Sequence, residues 1–319
     1  MEDPKTQLLQ DLVAFLGEAK VKINKDIGIY LTIRTPAIAE YYIDAESDSD
    51  IQKVIQIAHN HSSHCIIIGG GSNIIAVKSL INGIVIHNRS IKKEKVNETF
   101  DTVDMLYSSG YSISQIVRET SQQGWSGFEK HLGLPGTVGG AIYMNSKWSH
   151  GGMISIGDIL VSATILDMTG NIKKVEAPYF QFAYDFSILQ ETKEIVLDAT
   201  FRLKKSTQEQ VESEAQKSLQ YRKDTQPFGV ATCGCFFRNI SLEDKQRLHL
   251  PSVSVGQLID NLGLKGISIG GFMISDKHAN FIVNTGNGNI SDLILLINLI
   301  KLKVKDKYNI DLKEEVEMI

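Results

Sequence analysis

The sequence predicts a protein of mixed helices and strands, of the α+β or α/β class. Two observations lead to this class. Hydrophobic residues recur at helical spacing in some segments and form short apolar runs in others, and the two kinds of segment alternate along the chain. Hydrophobic residues make up 42% and charged residues 22% of the chain, which is the composition of an ordinary globular protein, and the length of 319 residues suggests two or three domains.

The predicted elements follow in order from the N-terminus. Residues 4–18 are predicted to form an amphipathic helix, because four leucines and a valine recur there at helical spacing. Further helices are predicted over residues 48–60, 112–123, 205–221, 255–262 and 290–307. Strands are predicted over residues 27–33, 41–43, 65–68, 84–86, 160–166, 194–203 and 311–319. No internal repeat or low-complexity tract interrupts this order.

The charge balance and the apolar segments exclude several classes of protein. The net charge of -4, from 33 basic and 37 acidic side chains, leaves no basic excess for binding a nucleic-acid backbone. The most apolar helical segment, residues 290–300, is too short to span a bilayer and contains Asp292 and Asn298. Residues 1–4 are acidic and lack the apolar stretch of a signal peptide. We therefore expect a cytoplasmic protein with no nucleic-acid or membrane partner.

The three cysteines do not make a disulfide framework, which agrees with a reducing cytoplasm. Cys233 and Cys235 form a Cys-x-Cys pair, and such a pair without further cysteines nearby is a poor zinc site. No metal site is predicted. A redox role for the pair is a less favoured alternative to the role for Cys235 given below.

The first of two glycine-rich segments, Gly69-Gly70-Gly71-Ser72-Asn73, follows an apolar strand. Glycines allow backbone N–H groups to approach a phosphate closely, because no Cβ intervenes, and the serine and asparagine add side-chain donors. A tight turn between two strands is the alternative interpretation. The segment does not match the G-x-G-x-x-G fingerprint that opens a helix, so a dinucleotide bound here would not sit in a Rossmann fold.

The second glycine-rich segment, residues 134–141, has the sequence Leu-Pro-Gly-Thr-Val-Gly-Gly-Ala. Three glycines and a proline in so short a stretch are incompatible with a regular helix or a well-packed strand. A long structural loop is one interpretation. A flat backbone surface for a large ligand is the favoured one, because long loops inside a compact domain are usually functional. Together the two segments suit the pyrophosphate and the ring system of FAD.

Several motifs, in order along nearly the whole chain, resemble those of the UDP-N-acetylenolpyruvoylglucosamine reductases, also called UDP-N-acetylmuramate dehydrogenases or MurB. The two glycine segments resemble the FAD loops of that family. The other matching motifs are Arg222 to Pro227, Gly-Cys-Phe-Phe-Arg-Asn at 234–239, Leu-Lys-Gly at 264–266, His-Ala-Asn-Phe-Ile-Val-Asn at 278–284 and Leu-Lys-Glu-Glu-Val at 312–316. Ordered motifs with this spacing are far more specific than any one of them.

The resemblance implies an α+β fold with a two-subdomain FAD-binding module of the vanillyl-alcohol-oxidase type and a C-terminal α+β substrate domain. The implied boundaries are residues 1–82 and 83–205 for the FAD-binding subdomains and 206–319 for the substrate domain. The terminal strand 311–319 is expected to pack near the active site. Residues 184–222 contain no long insertion, which resembles the second type of the family, without a substrate-gating loop.

The resemblance also implies an activity, the FAD-mediated reduction of UDP-N-acetylglucosamine enolpyruvate to UDP-N-acetylmuramate with NADPH as hydride donor. This reaction belongs to peptidoglycan precursor synthesis in the cytoplasm, and so to cell-wall biogenesis, cell shape and cell division. A small sugar nucleotide is then the expected partner of a monomeric enzyme. The alternatives are a related FAD oxidoreductase acting on another sugar or alcohol, and a non-catalytic sugar-nucleotide binder.

Two residues match catalytic positions of the family. Cys235 stands where the family usually has a serine proton donor, and a thiol, with an ordinary pKa near ~8.5, is a stronger acid than a hydroxyl. A small buried core residue is the alternative for Cys235. Glu315 matches the catalytic glutamate, which stabilises or protonates the enolate; without the resemblance it would be taken for a surface acid. Retention of both residues favours a reductase over a binder.

The resemblance assigns binding roles to further residues. Arg222, Asn239 and His278 match substrate-binding positions, although a lone arginine is otherwise most often a solvated cation. Lys265 is expected to be structural. FAD contacts are expected from Gly69, Gly70, Gly71, Ser72, Asn73, Pro135, Gly136, Thr137, Gly139, Gly140 and Ala141.

Three segments depart from the family pattern. The family has Tyr-Arg-x-Ser where this chain has Tyr-Asp-Phe-Ser at 184–187, so Asp185 replaces an arginine that contacts the substrate carboxylate. Because two anions repel, Asp185 is not expected to bind substrate. Three explanations stay open: another cation contacts the substrate carboxylate, catalysis is weaker, or the segment aligns with the family motif in a different register. Arg-Thr-Pro-Ala at 34–37 lacks the glycines of Arg-x-Gly-Gly, and residues 145–151 replace Asn-Ala-Gly-Ala-Tyr-Gly. These changes affect the expected surroundings of flavin and substrate.

Overall fold

The computed structural model describes residues 4–319, and residues 1–3, on which the expectation of no signal peptide partly depends, lie outside the described residues. The helices are α1 (Pro4–Leu16), α2 (Asp48–Asn60), α3 (Ile113–Gln122), α4 (Val138–Tyr143), α5 (Leu189–Thr192), α6 (Gln208–Thr225), α7 (Leu242–Arg247), α8 (Val255–Asn261) and α9 (Ile290–Tyr308). Of these helices, none combines the length and the apolar character needed to cross a membrane.

The strands are distributed along the same described residues. They are β1 (Val21–Asp26), β2 (Ile38–Ala45), β3 (Cys65–Ile68), β4 (Ile74–Ile75), β5 (Leu80–Asn88), β6 (Lys93–Glu98), β7 (Thr102–Ser108), β8 (Trp125–Ser126), β9 (Lys147–Trp148), β10 (Ile154–Ser155), β11 (Leu160–Leu166), β12 (Ile172–Glu176), β13 (Ile195–Lys205), β14 (Ser268–Ile269), β15 (Phe272–Ile274), β16 (Ile282–Asn284) and β17 (Glu317–Met318).

The described residues form two compact units. The first unit contains residues 4–25, 39–70 and 82–221, and the second contains residues 26–38, 71–81 and 222–319. Two N-terminal segments therefore group with the C-terminal part of the chain, which a division into consecutive stretches does not describe. The three domains expected from the sequence, with boundaries at 82 and 205, remain a prediction.

The first unit contains a four-stranded sheet of order β1-β2-β5-β3, and the first glycine segment follows its edge strand β3. Strand β3 runs parallel to β5, with Cys65 opposite Ile84, and ends directly before Gly69. Helices α1 and α2 contribute Leu12 and Ile51 to the core beside this sheet. Because the apolar side chains of α2 recur at helical spacing, they all reach that core and the polar face stays outside.

A second sheet of the first unit has the order β12-β11-β13-β7-β6, with β8 beside β13. Neighbouring strands on this path are antiparallel. Its core includes Val117 of α3 together with Phe128 and Phe201, all fully buried. The N–H of Gly139 donates a hydrogen bond to the carbonyl of Ser109, at 2.8 Å and directly after β7. This sheet therefore positions the second glycine segment.

The second unit is built from α8, α9 and the antiparallel sheet β14-β15-β16. Helix α9 begins after Asn289, whose side chain accepts a hydrogen bond from the N–H of Asp292 at 2.9 Å. The same helix contributes Leu293 to a core shared with Phe272. At the end of the chain, β17 pairs in parallel with β4. The strand at the end of the chain is thereby paired with a strand from the segment 71–81 of the same unit.

Most of the predicted elements are confirmed. Helix α2 and strands β3 and β11 have the predicted bounds. Helices α3, α6, α8 and α9 lie where helices were predicted, with ends that differ by a few residues. In α2 and α3 the apolar residues recur at helical spacing and are buried, so burial of one face indicates both the type of element and its extent.

Two predicted strands are wrong, one wholly and one for most of its length. Residues 27–33 contain a short 3-10 turn at Gly28–Tyr30 instead of a strand. The turn is closed by a hydrogen bond from the N–H of Tyr30 to the carbonyl of Ile27 at 2.9 Å, so local bonds replace strand pairing. Ile27, Leu31 and Ile33 are still buried, whereas Ile29 is exposed. Of residues 311–319, only Glu317–Met318 form a strand, preceded by an isolated bridge at Glu314.

The second glycine segment is partly helical, which corrects the prediction that it could not be a regular helix. Helix α4 begins at Val138 and includes Gly139 and Gly140. A residue outside the helix stabilises its first turn, because the N–H of Val138 donates a hydrogen bond to the carbonyl of Tyr111 at 3.0 Å. A Cβ at Gly139 would lie 3.1 Å from the Cβ of Ser109, so close packing offsets the low helix propensity of glycine.

Candidate active site

Cys235, the predicted proton donor, lies in an extended segment of the second unit with a neighbour on each side. On one side Cys235 forms a β-bridge with Phe281. On the other side the N–H of Glu315 donates a hydrogen bond to the carbonyl of Phe236 at 2.9 Å. Glu315 is therefore directly opposite the residue that follows Cys235. The structure brings the two predicted catalytic residues onto neighbouring extended segments.

The two cysteines of the Cys-x-Cys pair have different surroundings. Cys233 is 2% exposed, and burial raises the pKa of its thiol well above the ordinary range, so it is a neutral core residue at pH 7. Cys235 is half-buried. Neither cysteine forms a disulfide, so both side chains are free thiols. Gly234 between them has a φ of +87°, a left-handed conformation that favours glycine. Of the two thiols, Cys235 is the one placed for chemistry.

Arg222 lies in the last turns of α6 and belongs to the same unit as Cys235. Only 8% of its surface is exposed, which excludes the alternative of a solvated surface cation. Burial lowers the pKa of the guanidinium, and electrostatic attraction to Cys235 acts in the opposite direction. An arginine keeps its charge in a protein. A buried positive charge therefore interacts electrostatically with Cys235.

His278 is half-buried in the turn before β16. Its Nδ1 accepts a hydrogen bond from the N–H of Asn280 at 3.3 Å, so in the neutral ring Nε2 carries the proton and is a donor. Burial lowers the pKa of the imidazole, and the neutral form therefore prevails at pH 7. A Cβ at Gly256 would lie 2.9 Å from the ring, so this glycine makes room for it. His278 can donate one hydrogen bond to a ligand without carrying charge.

Asn239 has a structural contact in addition to its predicted binding role. Its side-chain oxygen accepts a hydrogen bond from the N–H of Val255, the first residue of α8, at 3.2 Å. This bond ties the segment that follows Cys235 to the helix. Lys265 pairs with Asp260 at 2.6 Å, which agrees with the structural role expected for it.

Within the first unit, the two glycine segments contact each other. A Cβ at Gly69 would lie 2.3 Å from the hydroxyl oxygen of Thr137, and one at Gly70 would lie 3.3 Å from the Cα of Gly136. Side chains at these positions would push the segments apart. Across residues 4–319, no backbone carbonyl accepts a hydrogen bond from the N–H of Gly70 or Thr137. Those two N–H groups can serve a ligand.

The remainder of the first glycine segment belongs to the second unit. A Cβ at Gly71 would lie 2.0 Å from the carbonyl oxygen of Tyr30, and its φ is +59°, so only glycine fits. The side chain of Asn73 donates a hydrogen bond to the carbonyl of Glu315 at 3.1 Å, and its own carbonyl accepts one from the N–H of Glu317 at 2.9 Å. The segment that carries Glu315 is thus bonded to the end of the first glycine segment.

The donors of the glycine segments suit a cofactor that contains a pyrophosphate. They consist of backbone N–H groups and of the side chains of Ser72, Asn73 and Thr137, and neither segment contains a carboxylate that would repel phosphate. Gly140 is exposed, and a Cβ there would meet nothing closer than 3.9 Å, so α4 presents bare backbone at this point. In the part of the chain that the structure describes, no cluster of His, Cys, Asp and Glu is placed to hold a metal ion.

A buried ion pair in the first unit was missed by the sequence analysis. Asp185 is 3% exposed, has a φ of +50°, and forms a salt bridge with Lys147. The ammonium of Lys147 also lies 3.8 Å from the centre of the Tyr184 ring. Both charged partners stand at positions where the chain departs from the family pattern. In the sequence, the only indication of this ion pair is that the two residues which differ from the family pattern carry opposite charges.

The third departure, Arg-Thr-Pro-Ala at 34–37, keeps a fixed backbone without glycines. Arg34 adopts a left-handed conformation, with a φ of +57°. The side chain of Asn284 donates hydrogen bonds to the carbonyls of Ile33 at 3.1 Å and Arg34 at 3.2 Å. These bonds stabilise a backbone conformation that glycine would adopt without strain.

Two family models match the chain. The C-terminal domain of UDP-N-acetylenolpyruvoylglucosamine reductase matches residues 226–319, and an FAD binding domain matches residues 39–176. Curated relatives named UDP-N-acetylenolpyruvoylglucosamine reductase match over nearly their whole length. The protein of Bacillus pumilus is 35% identical and the match covers 100% of this chain and 99% of its own. The protein of Chlamydia felis is 37% identical over 91% of each chain.

Two solved structures share the fold. UDP-N-acetylenolpyruvylglucosamine reductase (MurB) from Thermus caldophilus superposes with a TM-score of 0.74 at 24% identity, covering 94% of this chain and 98% of the other. p-Cresol methylhydroxylase superposes with a TM-score of 0.53 at 11% identity, covering 96% and 88%. At these identities the likeness concerns the fold alone. With the matched FAD binding domain, it confirms the predicted α+β fold with a flavin module of the vanillyl-alcohol-oxidase type.

Proposed function

The chain belongs to the UDP-N-acetylenolpyruvoylglucosamine reductase family, and from that membership we propose a role for each residue of the site. The protein is an FAD-dependent oxidoreductase of peptidoglycan precursor synthesis, which reduces UDP-N-acetylglucosamine enolpyruvate to UDP-N-acetylmuramate with NADPH. The observation that supports this most strongly is similarity over the full length together with Cys235 and Glu315 on neighbouring segments. The alternative of another sugar or alcohol as substrate finds no support among the full-length relatives.

We propose that the backbone of the two glycine segments, residues 69–73 and 135–141, holds FAD. The free N–H groups of Gly70 and Thr137 and the lack of side chains at the glycines support this assignment. When bound, FAD would supply the hydride chemistry that links NADPH to the terminal carbon of the enolpyruvyl group. The chain's own task here is to bind the pyrophosphate with N–H donors and to leave room for the ring system.

FAD is expected to be bound without a covalent link. Neither glycine segment contains the histidine or cysteine that forms such a link. Cys65 and His131 lie a few residues upstream, but burial raises the pKa of the Cys65 thiol to about 12, and His131 is fully buried. Denaturation in acid or organic solvent should therefore release all the flavin absorption near ~450 nm into the supernatant. Colour that stays on the precipitated chain would contradict this.

Cys235 donates the proton that completes the reduction. Hydride addition to the terminal carbon leaves negative charge on the adjacent carbon, which is conjugated with the carboxylate. The Sγ–H of Cys235 gives its proton to that carbon, so two hydrogens have been added across the C=C bond and the sulfur is left as a thiolate. Arg222 stabilises the thiolate until solvent returns the proton. Cys233, a neutral thiol in the core, takes no part.

Glu315 acts on the carboxylate side of the enolate, where it stabilises the developing charge or protonates it. Its backbone is fixed at both ends, because its N–H donates to Phe236 and its carbonyl accepts a hydrogen bond from Asn73. Neighbouring Glu314 instead forms a salt bridge with Lys301 at 2.7 Å.

Arg222, Asn239 and His278 bind the sugar nucleotide. The substrate carries a carboxylate and a diphosphate, which call for positive charge and for hydrogen-bond donors. Arg222 supplies a buried charge, and His278 supplies its Nε2–H as a neutral donor. Asn239 lies on the segment that follows Cys235, which is fixed to α8.

We further propose that the enzyme works as a monomer in the cytoplasm. A reducing compartment keeps Cys235 as the thiol that proton donation requires. Light scattering of the purified enzyme is expected to give the mass of one chain, 35.4 kDa. A measured mass of twice that value would show that the enzyme is a dimer, and the proposed chemistry would be unaffected.

The activity itself is tested by incubating the purified enzyme with NADPH and UDP-N-acetylglucosamine enolpyruvate. NADPH is expected to be consumed in equal amount to the substrate, and mass spectrometry should find a product heavier by two hydrogen atoms. In the comparison experiment, a panel of simple sugars and alcohols is added to the enzyme with its flavin oxidised. Flavin reduction by one of those compounds, with no product from the sugar nucleotide, would overturn the proposed function in favour of an oxidase.

A further inference from the structure

Asn280 makes three hydrogen bonds to the segment that follows Cys235. The residue is 3% exposed. Its side-chain oxygen accepts from the N–H of Phe237 at 3.0 Å, and its side-chain nitrogen donates to the carbonyl of Phe237 at 2.8 Å. Its backbone carbonyl accepts from the N–H of Phe236 at 2.7 Å. One asparagine thus satisfies both backbone polar groups of Phe237.

The terminal segment does not supply these bonds. Phe237 and Glu314 form an antiparallel bridge in which the hydrogen bonds run between the flanking residues, such as from Glu315 to Phe236. The N–H and carbonyl of Phe237 therefore point away from the terminal segment and towards Asn280. Phe237 is 1% exposed, so without the asparagine both groups would be buried and unsatisfied.

We propose that Asn280 is a positioning residue for Cys235. Because its planar carboxamide is bonded at both ends to one residue, it fixes the orientation of the segment as well as its distance. The next residue, Phe281, forms the bridge to Cys235 itself. The three bonds therefore determine where the Sγ–H of Cys235 lies, and a displacement of about 1 Å at a reacting group can slow a reaction by roughly 100-fold. This inference rests on the proposed role of Cys235 as proton donor.

Two substitutions test the positioning role in rapid-mixing experiments on the FAD-loaded enzyme. Asn280→Ala is expected to slow reoxidation of the reduced flavin by UDP-N-acetylglucosamine enolpyruvate by about 10- to 100-fold. Reduction by NADPH should stay within about 2-fold of wild type, because that step needs no proton from Cys235. Asn280→Asp keeps the shape and the acceptor, but its carboxylate cannot donate to Phe237.

The aspartate variant gives a readout that a merely structural role would not change. Protonation of a buried carboxyl group restores the missing donor, so lowering the pH from about 8 to about 6 should speed reoxidation of Asn280→Asp relative to wild type. Asn280→Ala has no group to protonate and should show no such recovery. If Asn280→Ala does not fold, the acid recovery of Asn280→Asp decides the question by itself.

The matched control is Asn289→Ala, which removes another structural asparagine from the same unit, the N-cap of α9. Both half-reactions of that variant should proceed at wild-type rates. Equal slowing of both half-reactions in Asn280→Ala, or wild-type reoxidation in it, would overturn the positioning role. If the wild-type enzyme is itself not reoxidised by the sugar nucleotide, the proposed function fails instead. If Cys235→Ala is slow and Asn280→Ala is not, the positioning role alone fails.

Discussion

Cys235→Ala is expected to slow reoxidation of the reduced flavin by the enolpyruvyl substrate by roughly 100-fold or more, the usual effect of losing a positioned general acid. Reduction of the flavin by NADPH should stay nearly intact, because the thiol acts only when the carbanion-like carbon is protonated. Stopped-flow absorbance of the flavin measures the two half-reactions separately. Reoxidation of Cys235→Ala at the wild-type rate would show that the thiol is structural.

Two further variants sharpen the test. Cys235→Ser should retain much of the activity, because a serine hydroxyl can donate the same proton. The wild-type rate should fall at alkaline pH as the thiol ionises and loses its proton, and the serine variant should lack that fall. Cys233→Ser is the matched control, since Cys233 lies two positions away in the core. Its half-reactions should be those of wild type, even if the buried hydroxyl lowers its stability.

Breaking the Lys147–Asp185 pair from either side is expected to destabilise the protein by about 3–5 kcal/mol. The two side chains are only 15% and 5% exposed, so each single substitution leaves a desolvated charge without its partner. The single variants are Lys147→Met and Asp185→Asn, and asparagine is chosen because it tolerates the left-handed backbone at position 185. The double variant should recover most of the loss, since it leaves no buried charge. Denaturant unfolding of all four proteins measures the coupling.

An exposed pair in the second unit provides the comparison. Asp311→Ala breaks the Lys305–Asp311 salt bridge, whose side chains are 43% and 81% exposed, and should change stability by less than about 1 kcal/mol. Asp185→Asn should leave the Michaelis constant for the sugar nucleotide unchanged or lower, because it removes an anion. Wild-type stability in both single variants would show that the pair is unimportant to the fold. A large rise in the Michaelis constant would show that Asp185 binds substrate.

The elements that could be predicted from the sequence are those in which the pattern of apolar side chains by itself indicates a helix or a strand. Helix α2 shows its buried face as apolar residues at helical spacing, and β3 is an uninterrupted apolar run. Residues 27–33 have a similar apolar character, yet local hydrogen bonds turn them at Gly28–Tyr30. The helix at Val138 depends on packing against Ser109, a residue distant in sequence. Such contacts have no local pattern that a single sequence displays.

The candidate site was predictable to the extent that its residues belong to ordered motifs. Cys235, Glu315, Arg222 and His278 all fall within the second unit, although nearly a hundred positions separate the first of them in the chain from the last. Their hydrogen-bond partners were not predictable, because those bonds depend on register between distant segments. The Lys147–Asp185 pair was missed for the same reason, since its members are 38 residues apart.

In the proposed reaction, reducing equivalents pass from NADPH through FAD to an enolpyruvyl sugar nucleotide. The most direct test reduces the enzyme with one equivalent of NADPH in the absence of oxygen and then adds UDP-N-acetylglucosamine enolpyruvate. The flavin absorption near ~450 nm is expected to return in full, with one equivalent of UDP-N-acetylmuramate formed. A flavin that stays reduced until oxygen is admitted would show that the sugar nucleotide is not the electron acceptor.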